Sequence, residues 1–439
     1  MTKITDKISS AAKQQAQNLL DFIDASPSPW HAVRSTIVQL EANGFEPLFE
    51  NQPWELKKNG RYYVTRDGAS VITFTLGRKP IETAGFRIVG AHTDSPGLQL
   101  KPKAAHANSG VAQVGVEVYG GPILATFTDR DLSLAGRVNV ANDNGYTTHL
   151  LHLKDAIVRL PNLAIHMNRE VNSKGLHLDK QTQLPLIFGY AADSEAAKKQ
   201  LSQTIANALN VKSADILTWD LSIYDTQKGS FWGEGQAFIA NSQLDNLASC
   251  HAALQALLTT TESDTTNICA FFDHEEVGSE SATGASGSFM RDVLQRICAH
   301  FKVSEEDRLR SFANSFLISA DMAHAYHPNH PAAYEPNHHA TVNKGPVIKS
   351  NANQRYSTNA DTAARFIQLC KQAKVPYQEY AHRTDLGCGS TIGPTMAAQL
   401  GMPTVDVGNP MWAMHSIRES AGAEDHGYMI AVLKEHFKS

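Results

Sequence analysis

The stretch FFDHEEVGSE, residues 271–280, sets a chemical problem. An apolar run of Ile268, Cys269, Ala270, Phe271 and Phe272 stops abruptly at Asp273, His274, Glu275 and Glu276. A carboxylate is costly to bury unless something pairs with it. The two glutamates are therefore either the solvated start of a loop or two groups sharing one positively charged centre. The same pattern, an acid or imidazole at the end of an apolar stretch, recurs along the chain. His92 closes FRIVGAH and Asp94 lies in the turn after it. Asp245 opens QLDNLASCHAALQALL, Asp321 ends SFLISA, and His415 follows PTVDVG.

Two histidines and several carboxylates without cysteine form a donor set for zinc or a similar divalent ion. Two ions about 3.5–4 Å apart need one bridging carboxylate and two further ligands each, with water left for chemistry. His92, Asp245, Glu276, Asp321 and His415 fit that count, with Asp245 as the bridge. Neighbours on a strand point to opposite sides, so Glu276 reads as a ligand and Glu275 as the general base. Asp94, two residues beyond His92, is placed to orient that imidazole. Singly, each piece is weak. An HxD is most often a surface turn, adjacent glutamates at a strand end are usually solvated, and Asp245 also suits simple helix-start chemistry. The order and strand-end placement of the whole set carry the argument.

The elements that position these residues follow from periodicity. FRIVGAH (86–92), NICAFF (267–272), SFLISA (315–320) and PTVDVG (403–408) read as buried strands. Residues 8–43 read as helical, interrupted at Ser26–Pro29 by proline. In residues 243–258, Leu244, Leu247, His251, Leu254 and Leu258 share one helical face, with Ser242 as N-cap; His251 there is a core histidine. Alternating strands and helices argue for an α/β layered domain, whose ligands gather at the carboxyl ends of the strands. Between about 98 and 237 the texture changes. VGVEVYGGPILATFT (114–128) alternates around Gly120–Gly121, a hairpin signal, and DSEAAKKQLSQTIANALN (193–210) reads as a helix. The expected architecture is an α/β domain from both ends of the chain, 1–97 and 238–439, interrupted by a β-rich domain over 98–237.

A chain of 439 residues fits two domains. Its apolar content of 42% and charged content of 19% are those of a soluble globular protein. A net charge of −5 with scattered lysines and arginines offers no footprint for nucleic acid. The N-terminal residues MTKITDKISSAAKQQAQNLL lack the apolar core of a signal peptide, and no run is long enough to span a membrane. Cys250, Cys269, Cys298, Cys370 and Cys388 are far apart and form no CxxC, so reduced thiols and a cytoplasmic location are expected.

AHTDSP, SQLDN, DHEEVGS, SADMAHAYHPN and AMHSIRE, in this order, resemble the motifs of the M18 family of zinc aminopeptidases. PSPWHAV, DRDLSLAGRV, LAIHMNR, KGPVIKSNANQRYSTN and CGSTIGP agree, so the resemblance covers nearly the whole chain. It implies a three-layer, zinc-exopeptidase-like catalytic domain with an inserted dimerisation domain, and assembly as a homo-oligomer, a dodecamer in the family. It implies two Zn2+ per subunit, with Co2+ or Mn2+ as substitutes. One ion is held by His92, Asp321 and the bridging Asp245; the other by Glu276, His415 and Asp245. Glu275 is the base and Asp94 the partner of His92. His166 in LAIHMNR matches a histidine lent to a neighbouring subunit's site. Lys349 matches a lysine that pairs with an acidic side chain in the first substrate pocket. The expected substrates are peptides with a free N-terminus, Asp or Glu preferred. Two rival readings are a metal-dependent deacylase of a small amide and a non-catalytic assembly or cargo protein; the first lacks a reason for LAIHMNR and GPVIK, the second for an intact ligand set.

Overall fold

The computed structural model describes residues 8–439. The first seven residues, part of the stretch read as lacking a signal peptide, lie outside the described residues. Nine strands form the main sheet, in the order Glu46–Leu48, Arg61–Arg66, Ser70–Thr75, Thr266–Phe272, Phe86–His92, Phe316–Ala320, Thr404–Gly408, Val347–Ser350 and Gln378–Ala381. The strands 266–272, 86–92, 316–320 and 404–408 lie side by side and parallel. Parallel strands are covered by helices on both faces and so read as continuous apolar runs, which is why NICAFF and SFLISA show no alternation.

The covering helices make two separate cores. On one face Leu254 of Leu244–Leu258, Phe366 of Ala360–Ala373 and Leu433 of Asp425–Lys438 meet Val89, Phe271, Ile318 and Val405. On the other, Phe289 and Leu294 of Phe289–His300 and Met396 of Ile392–Leu400 meet Ile88, Ile268 and Phe272. Ile88 and Val89 fall in different cores because successive side chains on a strand alternate. The result is a three-layer α/β/α arrangement. Each large apolar side chain buried here contributes roughly 1.5–3 kcal/mol relative to exposure. Among the described residues no helix is long and apolar enough to cross a membrane.

The helix Leu244–Leu258 departs from expectation at its start. Gln243, not Ser242, occupies the cap position, in a left-handed conformation with φ 57°, and its side chain makes no cap hydrogen bond. Asp245 and Asn246 are not yet helical. The side chain of Asp245 is thereby presented from an irregular entrance.

The described residues divide into two compact units. The first runs to Asp94 and takes in Gly229–Met414 and Glu419–Ser439; the second is Ser95–Lys228 with His415–Arg418. The boundaries expected at 97/98 and 237/238 thus fall at 94/95 and 228/229. The first unit resumes early because Ser230–Trp232 pairs with Phe238–Asn241 in a small five-stranded sheet that also holds Glu419–Gly422, Pro410–Trp412 and Ala323–His324.

The second unit is a six-stranded sheet in the order Gly145–His152, Leu132–Asn142, Ile216–Asp225, Gly97–Asn108, Val111–Tyr119 and Leu186–Tyr190, all antiparallel. The helix Ser194–Leu209 starts at Asp193, whose carboxylate accepts from the amide of Ala196, and buries Ala197, Leu201 and Ile205 in this unit's core. The hairpin expected around Gly120–Gly121 does not form. Val111–Tyr119 pairs instead with 97–108 and 186–190, and the chain after Gly121 enters a 3₁₀ turn, Leu124–Phe127. Pro122 has no N–H to donate to a returning ladder, and Phe127 goes into the core.

Candidate metal centre

The register of the parallel strands brings the expected residues to one edge. Phe272 lies opposite His92, and Ser319 opposite Gly90, so the strands ending at 272, 92 and 320 finish together. The amide of Asp321 donates to the carbonyl of Val407 at 2.9 Å, fixing that residue just past its strand.

His92 is 1% exposed. Its Nδ1 lies 3.0 Å from the Asp94 carbonyl oxygen and 3.3 Å from Asp94 Oδ1. Oxygens of this kind only accept, so Nδ1 carries the proton and Nε2 is the nitrogen left for a ligand. Around Nε2 stand Asp245 Oδ1 at 3.5 Å, Asp321 Oδ1 at 3.9 Å and Glu275 Oε2 at 3.9 Å. A ligand atom of Glu276 lies within 4.8 Å of His92 and of Asp245.

The glutamates are not on the strand, so strand alternation is not what separates them. The strand stops at Phe272; His274 takes a left-handed conformation, and Glu275–Val277 forms a 3₁₀ turn ending at Gly278 with φ 101°. Asp94 holds this turn. Its carboxylate accepts from the amide of Glu275 at 3.1 Å and that of Glu276 at 3.0 Å. Asp94 therefore serves His92 mainly through its backbone carbonyl and the glutamates through its side chain, which the sequence reading did not foresee. Nδ1 of His274, in hydrogen-bond contact with Ser281 Oγ at 2.8 Å, braces the turn from outside.

Asp245 is placed by contacts that sequence reasoning missed. Its amide donates to Glu419 Oε2 at 3.0 Å, and the side chain of Asn246 donates to the carbonyl of Ala320 at 2.8 Å. The only signal for Glu419 was its place at the end of AMHSIRE. Lys349 is 2% exposed, far from a surface lysine. Its Nζ donates to the carbonyls of Asp321 at 2.8 Å and Met322 at 3.2 Å and lies 5.0 Å from the ring centre of Tyr356.

His166 and His415 belong to the second unit. His166 is exposed, in a segment where Leu163, Ile165 and Met167 are exposed as well. His415 Nδ1 lies 3.1 Å from the carbonyl of Gly121. His251 is buried against His426, with Nδ1 and Nε2 2.8 Å apart, as a core residue.

The first unit alone sets Asp94, Asp245, Glu275, Glu276 and Asp321 around one imidazole, and the imbalance is felt at Glu275, Glu276 and His92. Burial pushes Glu275 up to about 8, opposed by His92 and reinforced by Asp321, Asp94 and Asp245. Burial, then the charge of Asp245, pushes Glu276 well above the usual carboxylate range. Burial would lower His92, but the surrounding carboxylates of Asp245, Asp321 and Asp94 hold it well above its ordinary value. Protons thus do the neutralising that a divalent cation does more completely. The spacing agrees: bonds of about 2.0–2.1 Å in a tetrahedral zinc site put ligand atoms about 3.3–3.5 Å apart, near the 3.5 and 3.9 Å found around His92.

Comparison with known proteins places this chain in a family. A family model described as Aminopeptidase I zinc metalloprotease (M18) matches residues 22–437. The probable M18 family aminopeptidase 2 of Ectopseudomonas mendocina (strain ymp) is 47% identical over 425 residues, covering 96% of this chain and 98% of that one. A chain from the cryo-EM structure of the Ape4 and Nbr1 complex superposes with a TM-score of 0.93 at 38% identity, covering 97% of this chain and 86% of that one. The mature Ape1 dodecamer of S. cerevisiae gives a TM-score of 0.85 at 27% identity, over 97% and 96% of the two chains. With a family model and a close relative both spanning nearly its full length, this chain belongs to the M18 family of zinc aminopeptidases, metal-dependent exopeptidases that hydrolyse peptide bonds.

Proposed function

We propose that this aminopeptidase works through a dinuclear centre with Glu275 as its general base and prefers peptides that begin with Asp or Glu. The observation that carries this reading is the buried convergence of five carboxylates on His92 at one sheet edge. In this reading His92, Asp321 and Asp245 would hold one ion, and Glu276, His415 and Asp245 would hold the other. Zinc is the resident metal, with cobalt or manganese able to replace it in the same donor set. When bound, the ions supply Lewis acidity toward the scissile carbonyl and lower the pKa of water.

The chain's own groups do the rest. Glu275 takes a proton from the attacking water and returns it to the leaving amine, a transfer worth ~10²–10⁴-fold. Asp94 fixes the position of that base through the amides of Glu275 and Glu276. Lys349 spends two of its three donor protons on the carbonyls of Asp321 and Met322. Its ammonium is thereby anchored to the backbone of a metal ligand, and an acidic side chain of the substrate makes a charge-assisted contact with it. His166, flanked by exposed Leu163, Ile165 and Met167, enters a neighbouring subunit's site in a homo-oligomer; the dodecameric yeast relative supports twelve chains. All five cysteines are free, which suits the reducing cytoplasm.

The test is release of the first residue from matched Asp-, Glu-, Leu- and Lys-peptides by wild type and Lys349→Met. Fast Asp and Glu release, lost selectively in the variant, is expected. Release led by Leu in the wild type overturns the acidic preference.

A further inference from the structure

We propose that Glu419 is the positioning residue of the metal centre, acting on it through the backbone of Asp245. The inference rests on the reading of Asp245 as the bridging ligand. Glu419 begins the strand Glu419–Gly422, is 1% exposed, and pairs with Asn241 on one flank of the small sheet, while the following Ser420 and Ala421 pair with Trp412 and Met411 on the other. A buried carboxylate demands donors, and one of them is the Asp245 amide at 3.0 Å.

That amide sits where the local structure supplies little support of its own. The first amides of a helix have no partner within it, Gln243 provides no side-chain cap, and Asp245 itself has φ −84° and ψ 105°, outside the helix. Glu419 thus stands in for a cap at the entrance that presents Asp245. The next residue extends the strap: Asn246 donates to the carbonyl of Ala320, immediately before Asp321. A displacement of the Asp245 backbone is therefore passed to two carboxylates of the centre. Glu419 touches neither ion in this account. It fixes the backbone from which the Asp245 side chain is presented.

The outcomes separate shape from charge. Glu419→Gln keeps the length and an accepting oxygen, whereas Glu419→Asp keeps the charge but is one methylene too short to hold 3.0 Å. The holoenzyme and these variants are titrated with a competing zinc chelator, and the visible spectra of their Co2+ forms are recorded. Partners of this kind typically govern 10–100-fold in metal affinity. Glu419→Asp is expected to lose 10–100-fold in affinity and to shift the Co2+ absorption, with kcat falling more than KM. Glu419→Gln is expected to stay within about threefold of wild type. Unchanged affinity and an unchanged Co2+ spectrum in Glu419→Asp overturn the proposal, as does equal damage in Glu419→Gln. Asp245→Asn is the control for the underlying reading. If it binds two metals as tightly as wild type, the bridge assignment fails; if it loses metal while Glu419→Asp does not, only the role of Glu419 fails.

Discussion

Acid should unfold this protein through a specific set of buried histidines, and the loss can be worked out. His251 and His436 are each pushed down to about 3 by burial, and His426 well below its ordinary value by burial and the neighbouring His251. All three are neutral in the folded chain. A group whose folded pKa is depressed stabilises the fold above its unfolded pKa of about 6.5, and that stability drains away as pH falls toward the folded value. At pH 5 the unfolded chain has bound a proton that the folded site refuses, over 1.5 pH units at about 1.36 kcal/mol each. That is about 2 kcal/mol for His436, and about 4 kcal/mol with His251 added, against a total stability of order 5–15 kcal/mol. His436 donates from Nε2 to the carbonyl of Ile88 at 3.2 Å, a bond that glutamine can also make. Urea unfolding of the metal-loaded protein and of His436→Gln, followed by tryptophan fluorescence at pH 7.5 and pH 5, isolates this residue, because the metal ligands titrate equally in both. The variant should lose about 2 kcal/mol less than wild type over that interval. Identical losses in the two proteins would refute the reasoning, since they would mean that His436 does not resist protonation in the fold.

Three further outcomes follow from the site. Asp94→Asn replaces one of two accepting oxygens with a donor facing a backbone amide, so the turn carrying Glu275 should loosen; kcat should fall about 10–100-fold with zinc content retained, as read by initial rates and metal analysis. Lys349→Met removes a buried cation and its two carbonyl contacts; kcat/KM for Asp-peptides should fall at least about tenfold more than for Leu-peptides. Chelation of zinc leaves the carboxylates around His92 without their cation, so the melting temperature should drop and be restored by added zinc, which at 1,000 times its dissociation constant stabilises by about 4 kcal/mol in a thermal shift series.

The main sheet was legible because its central strands are buried on both faces. An apolar run ending in an acid or imidazole therefore marks a strand with its active edge, as at Phe272, His92 and Ala320. What stayed hidden lies in backbone hydrogen bonds between distant positions. Glu419 and Asp245 are 174 residues apart and meet through an amide that no side-chain pattern announces. The same holds for Asp94, whose carboxylate serves the backbone of the glutamate turn. Nothing local in the sequence announces the burial of Lys349, because the groups that make it tolerable, the carbonyls of Asp321 and Met322, lie 28 and 27 residues away. The misread hairpin at 114–128 has the opposite cause: alternation and a Gly-Gly pair were present, but Pro122 and the distant strand 186–190 competed for the pairing and won. Exposed His166 has no partner in its own unit's pattern to reveal it, so only the resemblance to a family singled it out.

The central claim is that two ions share Asp245 while Glu275 moves the proton without binding either. Metal stoichiometry and turnover measured together on wild type and Glu275→Gln test it most directly. The account predicts two zinc ions per subunit in both proteins and a kcat reduced by at least about 10²-fold in the variant. Loss of a metal in Glu275→Gln, or near-normal turnover with both ions bound, would contradict it.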